Sequence, residues 1–394
     1  MAAVTMCGCG TSTPVGQTPF VEQEYATASK VNEASLRFFH ETYKIERKND
    51  NMCVSPASAS WALSMAATGA RSTTATQLYK ALGFDTPDAE AINSYQQKAI
   101  ARLAMHNDEM TTIAIANSMW TNSGFKAKKA YVKENEKFYN AAVRSCTFDA
   151  KAATAINRWC SDNTSGRINE IVKEINPNAQ MYLINALYFN SRWKDVFLKK
   201  RTKEQTFTKE NGEQIKVQMM HCGSRAGYFE NDKVQMSEKP FDKGAFSMYF
   251  ILPQKGVTMD EAANELARNF YAWRDSFTRC DVNLALPRFS ADYGTSLKET
   301  LQALGIEEAF TGAADFSGIS DEGLCIGDVL QKTFIKVYEE GAEAAAVTSV
   351  MLEATAAGPP IIKNLTLDRP FFYAICARET GSILFIGKCG HPKE

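Results

Sequence analysis

Histidines, serines and cysteines could act as bases or nucleophiles in this chain, but their spacing fits no common catalytic motif. The four histidines are His40, His106, His221 and His391. No HExxH pair, GxSxG elbow, GxGxxG fingerprint or Walker loop is present. The local arrangements that metal hydrolysis, acyl transfer or nucleotide binding require are therefore not encoded. The sequence predicts a protein that is not an enzyme and holds no metal or cofactor.

The cysteines also lack a pattern that points to chemistry. No CxxC pair has a partner at zinc-site spacing. Cys376 in FFYAICA and Cys389 in ILFIGKC lie within apolar runs, so buried free thiols are expected. The ten cysteines are Cys7, Cys9, Cys53, Cys146, Cys160, Cys222, Cys280, Cys325, Cys376 and Cys389.

One segment without a catalytic side chain has an unusual composition. Residues 339–360 read EEGAEAAAVTSVMLEATAAGPP and contain no Lys or Arg. Taken with a period of two, one face is small or apolar and uncharged, while Glu343 and Glu353 lie on the other face. Alanine and glutamate also favour a helix, so periodicity leaves strand and helix open. The uncharged face carries Ala342, Ala344, Ala346, Thr348, Val350 and Leu352.

Helices are predicted mainly in the first half of the chain. Residues 28–44 have the apolar spacing of an amphipathic helix. NMCVSPASASWALSMAATGA predicts a short strand and then a helix with Pro56 in its first turn. A further helix is expected at 72–82. INRWCSDNTSGRINEIV predicts a helix, a Ser-Gly stop and a second short helix.

Strands dominate the second half, which predicts the α+β class. AQMYLINALYFNSRW is almost continuously apolar, as in a strand covered on both faces. Residues 110–121 are rich in β-branched side chains and also read as a strand. Further strands are expected in VQMSEKPF, FSMYFILP, DVNLALPRF, KTFIKVYEE, RPFFYAICA and SILFIGK.

Length and charge favour one large domain that binds neither nucleic acid nor an anionic membrane. The chain has 394 residues, 45% of them hydrophobic, with 44 basic and 45 acidic residues. No linker or composition break occurs between Thr27 and Gly390. The basic stretch around Lys129 and Lys133 is expected to be a solvated helix face.

The N-terminal residues 1–24 are expected to form a flexible tail or a lipoprotein-like tether ahead of a domain at 25–394. They lack a basic n-region and a long apolar run, so they contain no complete signal peptide. Met6-Cys7-Gly8-Cys9 is similar to the end of a bacterial lipoprotein signal. This similarity suggests an extracellular or cell-surface protein, anchored through Cys7 or Cys9, with a frayed tail as the alternative.

The chain as a whole resembles the inhibitory serpins. EEGAEAAAVTS is similar to the hinge of their reactive-centre loop, and DRPFFYAICARETGSILFIGKCGHP is similar to their final strands. Other similar segments, in family order, are NMCVSPASASWALSMAATGA, INRWCSDNTSGRINEIV, LINALYFNSRWKDVF, FSMYFILP, LALPRF and LKETLQALGIEEAF. Together they cover roughly residues 28–392.

The resemblance implies one α+β domain with three β-sheets, about nine helices and an exposed loop at about 340–362. A serine protease would attack that loop, form an acyl-enzyme and be trapped when the loop inserts into the central sheet. Ala342 replaces the Thr or Ser common at the first hinge position. The hinge residues implied are Glu339, Gly341, Ala342, Glu343, Ala344, Ala345, Ala346 and Thr348.

Counting from the hinge places the reactive bond between Thr355 and Ala356. The register can slip to Ala354-Thr355 or Ala356-Ala357, because no basic or aromatic residue marks the site. A small residue suits a shallow pocket, so elastase-like targets are expected, with subtilisin-like and papain-like proteases as further partners. Trypsin-like enzymes are expected to be poor partners.

Two further groups of residues carry over from the family, and the protein is expected to act as a monomer. Trp193, Arg288 and Glu339 match the opening of the central sheet, the breach. A shutter beneath it is matched by Ser55, Ser58, Asn185 and Gln331. Gln331 stands where many serpins have histidine, so a pH-sensitive shutter is not expected.

No heparin site is expected, because the helical segment 89–108 carries only Lys98 and Arg102 as basic residues. The alternative function is that of a non-inhibitory serpin, a carrier or chaperone on the same fold.

Overall fold

The computed structural model describes residues 14–341 and 361–394. Cys7 and Cys9, the hinge residues from Ala342 onward and the bond between Thr355 and Ala356 lie outside these ranges. The described helices are α1 (Glu22–Glu46), α2 (Pro56–Gly69), α3 (Ser72–Ala81), α4 (Ala89–Ala104), α5 (Lys129–Tyr139), α6 (Ala150–Asn163), α7 (Met259–Asp275) and α8 (Lys298–Ala303), with short 3-10 turns at Val15–Gln17, Lys199–Arg201 and Glu308–Phe310.

Fourteen strands are described, and they form two hydrogen-bonded networks. The strands are β1 (Asn51–Val54), β2 (Thr111–Asn122), β3 (Ala142–Cys146), β4 (Met181–Ser191), β5 (Lys203–Thr208), β6 (Gln214–Glu230), β7 (Val234–Pro240), β8 (Phe246–Pro253), β9 (Thr278–Pro287), β10 (Phe289–Ser296), β11 (Ile326–Val337), β12 (Ile362–Thr366), β13 (Phe371–Ala377) and β14 (Ile383–Cys389).

The smaller network is a five-stranded sheet in the order β10-β11-β4-β2-β3. The larger network runs β1-β14-β13-β8-β7-β6-β9-β12, with β5 paired to β6. It narrows where β6 meets β7, because only three residue pairs join them, from Tyr228 to Glu230 on β6. The three sheets implied by the resemblance therefore appear as two networks, because β6 pairs with β5 and β9 along its length and with β7 at its end. The α+β fold class is confirmed.

The predicted strand in AQMYLINALYFNSRW forms at the centre of the five-stranded sheet. Ten of the eleven residues of β4 are buried. The sheet faces helix α2 on one side and α6 on the other, which explains why a strand with no polar face is stable there. Helix α2 is itself buried almost all round, so its small residues pack closely under β4.

The second short helix predicted after α6 is wrong. Ser165 and Gly166 end α6 with positive φ angles of 52° and 74°. Beyond them, the side chain of Asn157 accepts hydrogen bonds from the backbone N–H groups of Ile171 and Val172, each 2.9 Å long, and donates to the Val172 carbonyl. These bonds satisfy backbone groups that a helical turn would otherwise use.

Within residues 14–341 and 361–394, no helix combines the length and apolarity needed to cross a bilayer. Over the same residues, no three His, Cys, Asp or Glu side chains are grouped closely enough to hold a metal ion.

Candidate functional site

The central feature of the five-stranded sheet is the parallel pair β4 and β11. Their register runs from Ile326 opposite Met181 to Phe334 opposite Tyr188. The two strands are hydrogen-bonded directly, so no strand of the described residues lies between them. Parallel pairing is slightly weaker per residue than antiparallel pairing. This pair, like the shorter parallel pair of β2 and the edge strand β3, is therefore a weaker line than the antiparallel pairs of the sheet, and it is the one at the centre.

The turn after β11 lies against the far end of β4. The backbone N–H of Trp193 donates to the Glu340 carbonyl at 3.0 Å, and the N–H of Phe197 donates to the Glu339 carbonyl at 2.8 Å. Gly341 has a φ of +140°, and a Cβ on it would lie 2.3 Å from the Ser191 carbonyl oxygen. Only glycine fits this close approach without displacing β4.

The side chain of Trp193 holds this turn in place. Its ring is buried and stacks on Phe241 with centroids 4.3 Å apart and an interplanar angle of 11°. Its Nε1–H donates to the Tyr338 carbonyl at 2.9 Å. The buried Lys239 ammonium lies 4.5 Å from the Phe197 ring centroid. The indole thus joins the end of β11 to the junction between the two sheets.

Glu339 carries a buried negative charge in the turn after β11. Its side chain is 2% exposed. The Arg288 guanidinium donates to both carboxylate oxygens, at 2.7 Å for Nη2 and 3.0 Å for Nε, and the Thr202 hydroxyl donates at 2.5 Å. Burial alone would raise the pKa of Glu339, but the hydrogen bonds from Arg288 and Thr202 outweigh it and lower that pKa.

Replacing Arg288 with leucine is expected to destabilise the protein by about 3 kcal/mol, because a buried carboxylate loses its cation. The pH dependence follows from the lowered pKa of Glu339. In the wild type, the stabilising contribution of Glu339 is complete above its ordinary pKa of 4.5 and is lost as pH falls through the lower folded value. Unfolding of the wild type and of Arg288→Leu in guanidinium chloride, at pH 7 and at pH 4, measures the loss of stability and its pH dependence.

Arg158→Leu is the matched control for this prediction. Arg158 is 83% exposed and forms only an i,i+4 contact of 3.8 Å with Asp162, so its loss is expected to change stability by less than about 0.5 kcal/mol. Equal losses for Arg158→Leu and Arg288→Leu would refute the role given to Arg288.

A second cluster of polar residues lies deeper, between α2 and the centre of the sheet. Gln331 of β11 accepts from the Ser55 N–H at 2.8 Å and donates to the Ser55 carbonyl at 2.9 Å. Asn185 of β4 donates to the Ser58 carbonyl at 2.9 Å. Gln331 also donates to Asn185 Oδ1 at 3.3 Å. These contacts join the two central strands to each other and to the start of α2.

Ser55 and Ser58 belong to this cluster through the first turn of α2. The Ser55 hydroxyl caps the helix by accepting from the Ser58 N–H at 3.2 Å. The Ser58 hydroxyl is buried and has no hydrogen-bond partner within the described chain. Because the amide of Gln331 does not titrate near neutral pH, the cluster has no group that would change charge there.

Gln331→Ala is expected to lower the free energy of unfolding by about 2 kcal/mol, because the Ser55 N–H and carbonyl lose their partner in a buried site. Chemical denaturation at constant pH measures the loss. The control is Gln302→Ala, which removes an exposed glutamine of α8 and is expected to be nearly neutral. A neutral Gln331→Ala variant would contradict the structural role of the shutter.

The structure thus brings together the two groups of residues taken from the resemblance. Trp193, Arg288 and Glu339 meet at the end of β11, and the shutter residues Ser55, Ser58, Asn185 and Gln331 meet beneath β4. The sequence reasoning missed Thr202 and Thr333, whose hydroxyls donate to Glu339 and to the Cys53 carbonyl. No motif marks these threonines, because each partner is more than a hundred residues away.

Comparison with known proteins agrees with this architecture. The family model Serpin (serine protease inhibitor) matches residues 29–392. An uncharacterized serpin-like protein of Thermococcus kodakarensis is 32% identical over 94% of this chain and 87% of its own length. Human neuroserpin is 30% identical over 88% of this chain and 87% of its own length. The chain therefore belongs to the serpin family.

Solved structures of the family superimpose over nearly the whole chain. The thermophilic serpin tengpin, in its native state, has a TM-score of 0.86 and 34% identity, covering 96% of this chain and 97% of its own. Human thyroxine-binding globulin has a TM-score of 0.85 and 26% identity, covering 94% and 100%. Members of this family are in general protease inhibitors and not enzymes.

Proposed function

We propose that this protein is an irreversible, suicide-type inhibitor of serine endopeptidases, acting on elastase-like enzymes. The observation that supports this most directly is the direct parallel pairing of β4 and β11. The chain leaves β11 through the turn at Tyr338–Gly341, next to the end of β4, so a segment following Gly341 could enter between the two strands.

The pairing geometry supplies the driving force for insertion. A segment that turns back after β11 would run antiparallel to both β11 and β4. One parallel ladder would be replaced by two antiparallel ladders, which are the stronger kind. About a dozen residues would gain ladder hydrogen bonds worth roughly 1 kcal/mol each. Burial of Val350, Leu352 and the alanine methyl groups would add about 5 kcal/mol.

The inhibitory step uses the target's own chemistry. The catalytic serine oxygen of the protease attacks the carbonyl carbon of Thr355, the bond to the Ala356 nitrogen breaks, and the new amine takes the proton from the protease base. Insertion then drags the ester-linked protease away and distorts its oxyanion hole. Deacylation loses several kcal/mol of transition-state stabilisation as a result, so the ester persists.

The residues at the predicted bond suggest the protease class. Thr355 and Ala356 are small, and residues 339–360 contain no basic side chain that could pair with an acidic specificity pocket. Elastase-like enzymes with shallow pockets are therefore the proposed targets, and subtilisin-like enzymes are second. An inhibitor of such proteases would act outside the cell, which agrees with the location expected from the N-terminal residues.

The deciding experiment mixes the protein with pancreatic elastase and resolves the products on denaturing gels. A complex that resists denaturant, together with a released peptide that begins at Ala356, is expected. Clean cleavage without a complex by elastase, subtilisin and chymotrypsin alike would refute the inhibitory mechanism. A peptide beginning at Thr355 or Ala357 would keep the mechanism and move the reactive bond by one residue.

The alternative is a non-inhibitory serpin on the same fold, serving as a carrier or chaperone. Bulky, charged or proline-containing hinges are expected in that class. Here the hinge contains no proline. Its residues on the uncharged face, Ala342, Ala344, Ala346 and Thr348, are all small, and Glu343 lies on the opposite face. Hinge composition therefore favours the inhibitor. Thermal unfolding measured before and after loop cleavage distinguishes the two functions. Cleavage should raise the unfolding temperature only where the loop inserts.

A further inference from the structure

A strongly basic segment lies where the chain leaves the five-stranded sheet after β4. Residues 192–203 read RWKDVFLKKRTK and hold six of the chain's basic side chains but only one acidic one, Asp195. The segment connects β4 to β5 and includes the 3-10 turn Lys199–Arg201. Such a density of one charge is a local feature, because the net charge of the whole chain is −1.

Most of these cations are exposed and uncompensated. The side chains of Lys194, Lys200, Arg201 and Lys203 are exposed, and none of them forms an ion pair with another residue of the described ranges. Exposed charges of one sign at this spacing repel each other and create a positive surface potential of several kT. This repulsion lowers the stability of the fold, so the four cations have no role in packing.

Contacts fix the position of this segment relative to the candidate inhibitory site. The Lys199 ammonium lies 2.9 Å from Glu340 Oε1. The neighbouring Thr202 donates to Glu339. Both partners belong to the turn from which residues 342–360 continue. The carboxylates next to the segment include Asp195, Glu204, Glu339, Glu340 and Asp242, whose backbone N–H donates to the Arg192 carbonyl. Glu339 and Glu340 are already paired with cations, Arg288 and Lys199.

We propose that Lys200, Arg201 and Lys203 form a basic exosite that attracts an acidic surface on the attacking protease. This proposal rests on the proposed function and narrows its target to small-pocket proteases with an acidic rim around the active-site cleft. A protease engaged at residues 355 and 356 is joined to the turn at Gly341 by fourteen residues, a length that lets its surface reach the neighbouring exosite. Opposite charges there would accelerate encounter without changing the chemistry.

The test uses one protease in two charge states. Pancreatic elastase is compared with succinylated elastase, in which lysine ammonium groups become carboxylates, after both are calibrated with a small neutral peptide substrate. At low ionic strength, succinylation is expected to raise the association rate constant with the wild-type protein by about tenfold. The gain should disappear at high salt, where surface charges are screened.

Charge-reversal variants locate the effect. In K200E/R201E/K203E the gain from succinylation is expected to vanish or reverse. The charge-neutral K200Q/R201Q/K203Q serves as a second variant in case reversal disturbs β5. The matched control is K126E/K129E/K133E, which changes three exposed lysines at α5 and just before it and should keep the gain. Equal loss in the control would overturn the proposal, because only overall charge would then matter.

The rate of loop cleavage is measured alongside the yield of denaturant-stable complex, so that two failures can be told apart. Loss of complex with the charge dependence of cleavage intact would refute the inhibitory mechanism and leave the exosite standing. A cleavage rate independent of protease charge would overturn the exosite. Acceleration by dextran sulfate without any dependence on protease charge would also overturn it, in favour of a polyanion site.

Discussion

Ala346→Arg is expected to turn the inhibitor into a substrate. By the period of two, Ala346 is expected on the face that would enter the sheet, so insertion would have to bury a guanidinium without a partner, at a cost of several kcal/mol. Slower insertion gives the acyl-enzyme time to hydrolyse. On denaturing gels with elastase, the ratio of complex to cleaved protein should fall by at least about tenfold, since 1.4 kcal/mol at the branch point already gives that factor.

Ala345→Arg is the matched control, with the same substitution one position away. By the period of two, residue 345 lies on the opposite face, which also carries Glu343 and Glu353. This variant is expected to keep most of its complex yield. Equal loss at both positions would mean that the segment does not enter the sheet as a strand in the predicted register.

Thr355→Arg is expected to redirect the inhibitor from elastase-like to trypsin-like proteases. An arginine side chain can pair with the acidic group of a trypsin-type pocket but cannot enter a shallow one. Association with trypsin should rise by about a hundredfold or more, and association with elastase should fall by a similar factor. Stopped-flow or discontinuous inhibition assays with both proteases measure the two rate constants.

Arginine at Ala354 and at Ala356 controls for the register of the reactive bond. Only the residue on the acyl side of the bond occupies the specificity pocket, so one of the three positions should give the large gain with trypsin. A gain at Ala354 or Ala356 in place of Thr355 would move the bond by one residue. No gain at any of them would contradict the assignment of the loop.

Strands and helices were predictable from the sequence where the hydrophobic pattern of the segment matches its burial in the fold. The apolar run that became β4 and the pair that became β13 and β14 show this, because neither has a polar face in the sequence or an exposed face in the fold. Helix α1 was predicted from residue 28 but begins at Glu22. Its first turns are anchored by the Glu24 carboxylate, which caps the Val21 N–H at 2.8 Å and pairs with Lys98.

The polar contacts of the candidate site could not be derived from local patterns. Arg288 and Glu339 are 51 residues apart, and Gln331 and Ser55 are 276 apart. Only the family resemblance placed them together. The additional donor Thr202 and the small helix expected near Val172 show the remaining limit. The role of Thr202 depends on the Glu339 side chain, and the absence of the helix depends on the Asn157 side chain. The periodicity of the local sequence does not indicate such partners.

The order of strands in the larger sheet has a consequence for how the chain folds during its synthesis. The strand order β1-β14-β13-β8 places the last two strands of the fold between the first strand and a middle one. A nascent chain that has emerged only as far as β12 lacks both, so β1 and β8 have no neighbour on the sides where they will pair. Domains usually fold as they leave the ribosome, but this core can close only after residue 389 has been released. Until then the parts of α1 and α2 that pack on β14 stay uncovered, and protection by chaperones matters most during that interval.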